Sequence, residues 1–182
     1  RNTSNDVPAK AYGITEKLMT AYLQADIEQE LGAGTLTGNF GVQAINTEQN
    51  STGIAFASGQ RVDVSLGDNY WDILPSANLS LRLDSGWVFR LAASRQIQRP
   101  QLDDLRVAIS YGINNNTADS PTGLTPFISG GGGNPLLRPY RANAVDFNIE
   151  KYFGTSGFVG LQLYYKDIKE FIYGGRVPFD FS

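Results

Sequence analysis

Adjacent carboxylates at Asp103 and Asp104 are the first residues whose types and spacing suit chemistry. Such a pair can exchange a proton with a substrate or contribute oxygens to a calcium ion, although neighbouring loop carboxylates are more often simply solvated. The chain has neither histidine nor cysteine. That removes the commonest general base, the usual zinc ligands and any thiolate or disulfide, and leaves no Ser–His or Cys–His catalytic arrangement within these residues. Tyr111 with Asn114, Asn115 and Asn116 combines an aromatic ring with amides, a set able to stack on a sugar and hydrogen-bond its hydroxyls, and equally a set ordinary in loops. Arg82, Arg90, Asp146 and Glu150 can either pair with one another across neighbouring strands or meet a separate domain. The four glycines from Gly130 to Gly133 lack the strand–turn–helix setting of a phosphate-cradling loop and read as flexible loop or bulge. No cofactor or metal is expected.

These residues must be positioned by strands. From Ala77 to Leu83 and from Trp87 to Ser94 apolar and other residues alternate around the turn Asp84-Ser85-Gly86, a hairpin pattern. Successive strand side chains point to opposite faces. One face therefore carries Leu79, Leu81, Leu83, Trp87, Phe89 and Leu91, and the other Asn78, Ser80, Arg82 and Arg90. Similar alternation sets in at Leu18, where Met19, Ala21, Leu23, Ala25 and Ile27 share a side. A helix would need apolar residues three and four apart. It recurs in Leu36–Ala44, continuing in weaker, polar form to about Phe56, in a return strand from Val62, in Val145–Ile149 and in Val159–Tyr165. Pro75 cannot donate to a ladder, so an edge or a bulge is expected there.

Six strands result. Short turns at Gly32–Gly34, Asp84–Gly86 and Gly154–Gly157 fall at one end and longer connections at the other, with loops expected at about 1–17, 48–60, 98–140 and 173–182. Membrane barrels have this asymmetry. Trp87, Tyr152, Phe153 and Phe158 gather by the short turns as an interfacial girdle would, and Lys151 can snorkel to the headgroups there. The 182 residues carry a net charge of −3 with 18% charged and 12% aromatic residues, which gives no nucleic-acid footprint. A soluble β-sheet would also alternate, but its wet face would be richer in Lys and Glu. The expected fold is all-β: antiparallel up-and-down strands forming part of a transmembrane β-barrel.

Short pieces spread along the chain resemble the C-terminal barrel of TonB-dependent outer-membrane receptors, in particular the proteobacterial group linked to carbohydrate uptake. They are Thr15-Glu16-Lys17 followed by Ala21-Tyr22-Leu23-Gln24-Ala25, then Trp71-Asp72-Ile73-Leu74-Pro75-Ser76-Ala77-Asn78-Leu79, then Leu91 to Arg95 followed by Arg99-Pro100. Gly133-Asn134-Pro135-Leu136-Leu137-Arg138-Pro139-Tyr140, Glu150-Lys151-Tyr152-Phe153 and Tyr164-Tyr165-Lys166-Asp167-Ile168 complete the set. The resemblance implies a barrel of about 22 strands around an N-terminal plug preceded by a TonB box. This chain has six strands and neither plug nor box, too few strands to close a barrel, so it is expected to be part of a longer receptor.

The resemblance further implies outer-membrane location in a Gram-negative bacterium, nutrient import driven by TonB with ExbB and ExbD, and no chemistry on the substrate. Carbohydrate is the favoured cargo and a siderophore the second. Tyr111, Asn114, Asn115 and Asn116 are then candidate ligand contacts, and Arg82, Arg90, Asp146 and Glu150 candidate lumen-facing plug contacts. The alternatives are a soluble β-sheet ligand-binding module and a barrel fragment held as cargo by an assembly machine.

Overall fold

A computed structural model describes residues 11–57, 60–120, 123, 125–154 and 157–175. Six long strands, β1 (Gly13–Leu31), β2 (Gly34–Ala57), β3 (Gln60–Leu83), β4 (Trp87–Gln98), β7 (Tyr140–Phe153) and β8 (Gly157–Glu170), form one antiparallel sheet in the order β1-β2-β3-β4-β7-β8. A separate two-stranded sheet pairs β5 (Ile109–Asn114) with β6 (Phe127–Gly132). The up-and-down order follows from alternation joined by short turns, because antiparallel neighbours need only a hairpin connection.

The register keeps every apolar set on one side. Ile27, Gly38, Leu79, Leu91, Phe147 and Leu163 form one continuous row across the sheet. That face is uncovered: Leu161 and Leu163 are each 56% exposed and Leu23 73%, and no second layer packs on it among the described residues. Exposed apolar surface this extensive marks contact with lipid or with another protein. On β3 the outward apolar run extends from Trp71 to Leu83. At about 3.3 Å per residue it measures about 40 Å along the strand, or about 30 Å in height at a ~40° tilt, matching a hydrocarbon core of about 30 Å.

The short-turn end is stitched together. The Asp84 amide donates to the Ala33 carbonyl at 3.0 Å, and the Tyr152 amide donates to the Gly86 carbonyl at 2.9 Å. Gly86 has φ +84°, and a Cβ there would meet the Tyr152 carbonyl oxygen at 2.9 Å, so both conformation and space require glycine. Lys151 donates to the Ser85 carbonyl and places its ammonium 5.2 Å from the centre of the Trp87 ring. Tyr152 and Phe158 depart from the expected outward girdle. They are register partners on the polar side, stacked at 5.9 Å, and the Tyr152 hydroxyl donates to Glu150 Oε2 at 2.7 Å. Strand parity decides this: only Trp87 and Phe153 share the parity of Phe89 and Ile149.

Several segment boundaries differ from the sequence expectation. Residues 13–17, expected in a loop, are ladder, and the polar continuation of β2 holds through the expected 48–60 loop: Gly13–Lys17 pair with Thr52–Glu48, and β2 stays in register with β3 to Ala57↔Gln60. Polar side chains there satisfy the pleat as well as apolar ones do, since one face of the extension is open and the other meets the polar backbone of the long connection. The 98–140 segment is not plain loop. It contains β5, β6 and 3-10 turns at Leu102–Leu105 and Thr117–Asp119. Three of the four consecutive glycines, Gly130 to Gly132, are β6 residues pairing with Tyr111, Ser110 and Ile109, so the glycine run is strand rather than flexible loop. Of the expected terminal loops, residues 1–10 and 176–182 lie outside the described residues. Pro75 marks an edge rather than a bulge: β2–β3 register runs through it unbroken, while β3–β4 pairing stops at Ser76↔Ser94.

Candidate functional site

The long connection folds back across the polar face of the β1–β3 extensions. Alternation along β2 puts Thr47, Gln49 and Ser51 on that face, and all three are buried. Gln49 is 2% exposed. Its amide donates to the carbonyls of Pro135 at 2.7 Å and Leu137 at 2.9 Å, and its oxygen accepts from the Tyr70 hydroxyl at 3.2 Å. The Ser51 hydroxyl accepts from the Val107 amide at 2.9 Å. Gly53 follows two residues on. A Cβ there would lie 3.0 Å from Val107, so the absent side chain admits the loop. Leu105 and Ala108 are buried under this contact.

Gly133 lets the descending arm meet the 3-10 turn. A Cβ at Gly133 would meet the Asp104 carbonyl oxygen at 2.4 Å, while the next amide, that of Asn134, donates to that oxygen at 2.7 Å. Arg138 donates to Asp68 Oδ2 at 3.0 Å and lies 5.5 Å above the Tyr70 ring centre. On the β1 side, Arg99 lies 3.4 Å from Glu16 and the Tyr12 hydroxyl donates to Asp103 at 2.6 Å. That hydrogen bond holds the Tyr12 phenol above its ordinary pKa, with desolvation adding to it. Below the loop, Arg141 places Nε and Nη2 at 2.7 and 2.6 Å from one oxygen of buried Asp72 and Nη1 at 2.7 Å from Glu170. The second Asp72 oxygen is buried without a partner among the described residues. Arg141 thus ties β3, β7 and β8 where β3 and β4 part.

Four residues singled out for the lumen separate into a pair and two singles. Arg90 and Glu150 form an ion pair across β4 and β7, and Glu150 also accepts from Asn148 at 3.1 Å and from Tyr152. Arg82 and Asp146 have no ion-pair partner among the described residues. Further along the same face, Asp26, Glu28, Asn39, Asn78, Arg90, Asp146 and other residues line an open concavity of about 520 Å³, with Asn78 donating to Asn39 at 2.8 Å.

The expected ligand contacts lie at the outer end of the loop. Asn114 accepts from the Asn116 amide at 2.8 Å, and Asn116 accepts from the Ala118 amide at 3.1 Å and donates to Asp119 at 2.9 Å. Asn116 thereby caps the Thr117–Asp119 turn, so these two amides are partly engaged in the loop itself. Asn115 is exposed. Tyr111 pairs with Gly130 in β5–β6, and its side chain lies outside the described part. Asp103 is engaged by Tyr12 and Arg106, and no carboxylate cluster able to hold a metal occurs among the described residues.

A sheet with an uncovered apolar outer face, a polar inner face and a long loop folded inward is the wall of a membrane β-barrel. The chain matches the family model for the TonB dependent receptor-like β-barrel over residues 1–182, and it belongs to that family. No curated protein and no solved structure matches it. Members of the family are outer-membrane transporters of Gram-negative bacteria rather than enzymes, and depend on the TonB complex for energy.

Proposed function

We propose that these residues are part of a longer outer-membrane receptor that imports a carbohydrate, with the β5–β6 loop capturing it and the polar face lining its path. The protein performs no chemistry on its cargo. The observation that carries this reading is the character of the concavity. Its lining has three carboxylates, Asp26, Glu28 and Asp146, while its single guanidinium, that of Arg90, is already paired with Glu150, which leaves three negative charges uncompensated. Like charge disfavours an anionic iron chelate. The hydroxyls and amides of Thr37, Asn39, Asn78, Ser80 and Asn148 suit a neutral polyol. Tyr111, Asn114, Asn115 and Asn116 supply the outer contacts. Arg82 and Asp146 are free to pair with a plug, whereas Arg90 and Glu150 chiefly brace the wall. Energy reaches the plug through TonB with ExbB and ExbD.

The test is binding of neutral oligosaccharides and ferric siderophores to the full-length receptor in detergent. Saccharide binding is expected, weakened about tenfold in Tyr111→Ala through lost ring contact. Saccharide uptake by cells should cease without TonB while surface binding persists. Binding of siderophores alone would overturn the carbohydrate assignment.

A further inference from the structure

We propose that the wall opens along a seam between β3 and β4 at the long-loop end, with Arg141 as the latch and the long loop as the strap that hold it shut. β3 pairs with β4 only from Arg82↔Val88 to Ser76↔Ser94. Beyond that point each strand keeps its other neighbour. β3 stays paired with β2 to Gln60↔Ala57, and β4 with β7 to Gln98↔Tyr140. The sheet therefore divides into two leaves, β1-β2-β3 and β4-β7-β8, joined by ladder only toward the short turns. Pro75, the first β3 residue past the last pair, has no N–H to give to β4. On the other leaf the β7–β8 register shifts between Arg141 and Ala142, level with the seam, and such an irregularity bends a strand. Separating Asp72–Pro75 from Arg95–Gln98 breaks no ladder bond, so side chains and the loop set what opening costs.

Arg141 makes the strand-to-strand link across the seam. Its Nε and Nη2 reach Oδ1 of Asp72 on the first leaf, and its Nη1 reaches Glu170 on its own leaf. This arrangement can release. Arg141 keeps Glu170 when Asp72 departs. Asp72 gains water on an oxygen that, in the closed wall, is buried without a partner among the described residues, and a buried group left unpaired favours the state that solvates it. The loop acts with the latch. Its two ends leave the second leaf at Gln98 and Tyr140, while Gln49, Ser51 and Asp68 of the first leaf hold its body. It therefore spans the seam, and its release from the first leaf frees the second. Opening there widens the outer mouth and leaves the ladder from Ser76 to Arg82 intact.

The test is electron paramagnetic resonance of the full-length receptor in lipid, with any cysteine elsewhere replaced by serine. Nitroxides at Ile73→Cys and Ile97→Cys flank the seam. A control pair at Ala44→Cys and Ile73→Cys occupies register partners within the first leaf. In the wild type each pair should show dipolar broadening. Arg141→Gln should lose it at the seam pair and keep it at the control pair. Asp72→Asn, which keeps the shape of the side chain and removes its charge, should act in the same direction and stands in where Arg141→Gln does not fold. Gln49→Leu, which leaves the latch in place and loosens the loop, should reduce the seam broadening by less. Arg90→Gln, within the β3–β4 ladder, should change neither pair. Full broadening at the seam pair in folded Arg141→Gln or Asp72→Asn overturns the proposal. Loss at both pairs overturns it as well, because the first leaf itself has then come apart. Full broadening in Gln49→Leu alone overturns the strap and supports the latch.

Discussion

Replacing Gln49 with leucine tests how the long loop is held to the wall. The substitution preserves approximate volume but removes two donors and one acceptor. The Pro135 and Leu137 carbonyls and the Tyr70 hydroxyl then lose their partners in a site where Gln49 itself is nearly inaccessible. A buried polar group left unsatisfied costs about 1–3 kcal/mol. Taking the low end for three groups gives about 3 kcal/mol, or about a hundredfold in the opening equilibrium of the loop. The cost should fall on the loop and not on the sheet, because the pairing of β2 uses backbone groups, Gln49's own included, that the side-chain substitution leaves in place. Hydrogen exchange of the full-length protein reads this directly. Peptides containing the Val107, Asn134 and Leu137 amides should exchange about a hundredfold faster in the variant, with β7 and β8 peptides unchanged. Unaltered loop exchange would refute the reasoning, and uniform acceleration throughout the sheet would show that Gln49 supports the fold rather than the loop.

Gly86→Ala should destabilise the short-turn end by about 1–3 kcal/mol, since its φ is positive and the Tyr152 carbonyl oxygen blocks a Cβ; thermal unfolding in detergent measures it. Gly133→Ala should loosen the loop base by a similar amount through its clash with the Asp104 carbonyl, seen as faster proteolysis between residues 99 and 140. Arg90→Gln should cost less than about 1 kcal/mol, because Arg90 is 42% exposed and Glu150 retains Asn148 and Tyr152. The Tyr12–Asp103 bond disfavours the phenolate in the folded state. Its stabilising contribution is therefore present below the ordinary phenol value of about 10 and is lost as pH rises through the raised folded value. Loop protection in the wild type should fall toward that of Tyr12→Phe only above about pH 10.

Alternation made the sheet legible. The faces of β2, β3, β4, β7 and β8 were readable because each apolar set recurs at period two, and the register keeps those sets together. The upper β2 and the start of β1 were harder to read, since polar residues fill both faces and leave no contrast. The β5–β6 hairpin was hidden by Gly130 to Gly132, glycine being a poor strand former and ordinarily a sign of a turn. The loop anchors were hidden for a different reason. Gln49 and Pro135 are 86 positions apart, and Asp72 and Arg141 are 69 apart, distances over which no local pattern carries a pairing. One signal was available: Thr47, Gln49 and Ser51 continue the inward parity of Gln43 and end at Gly53, a polar track finishing in a side-chain gap.

The central claim is a wall with lipid on one side and a hydrated lumen on the other. These 182 residues contain no cysteine, so single cysteine substitutions along β3 from Asn78 to Arg82, made in the full-length protein with any cysteine elsewhere replaced by serine, give unambiguous spin-label sites after reconstitution in lipid. Labels at Leu79 and Leu81 should be accessible to oxygen and not to a water-soluble nickel reagent, and labels at Asn78, Ser80 and Arg82 should show the reverse. An accessibility without that period of two, or water access at Leu79 and Leu81, would contradict the account.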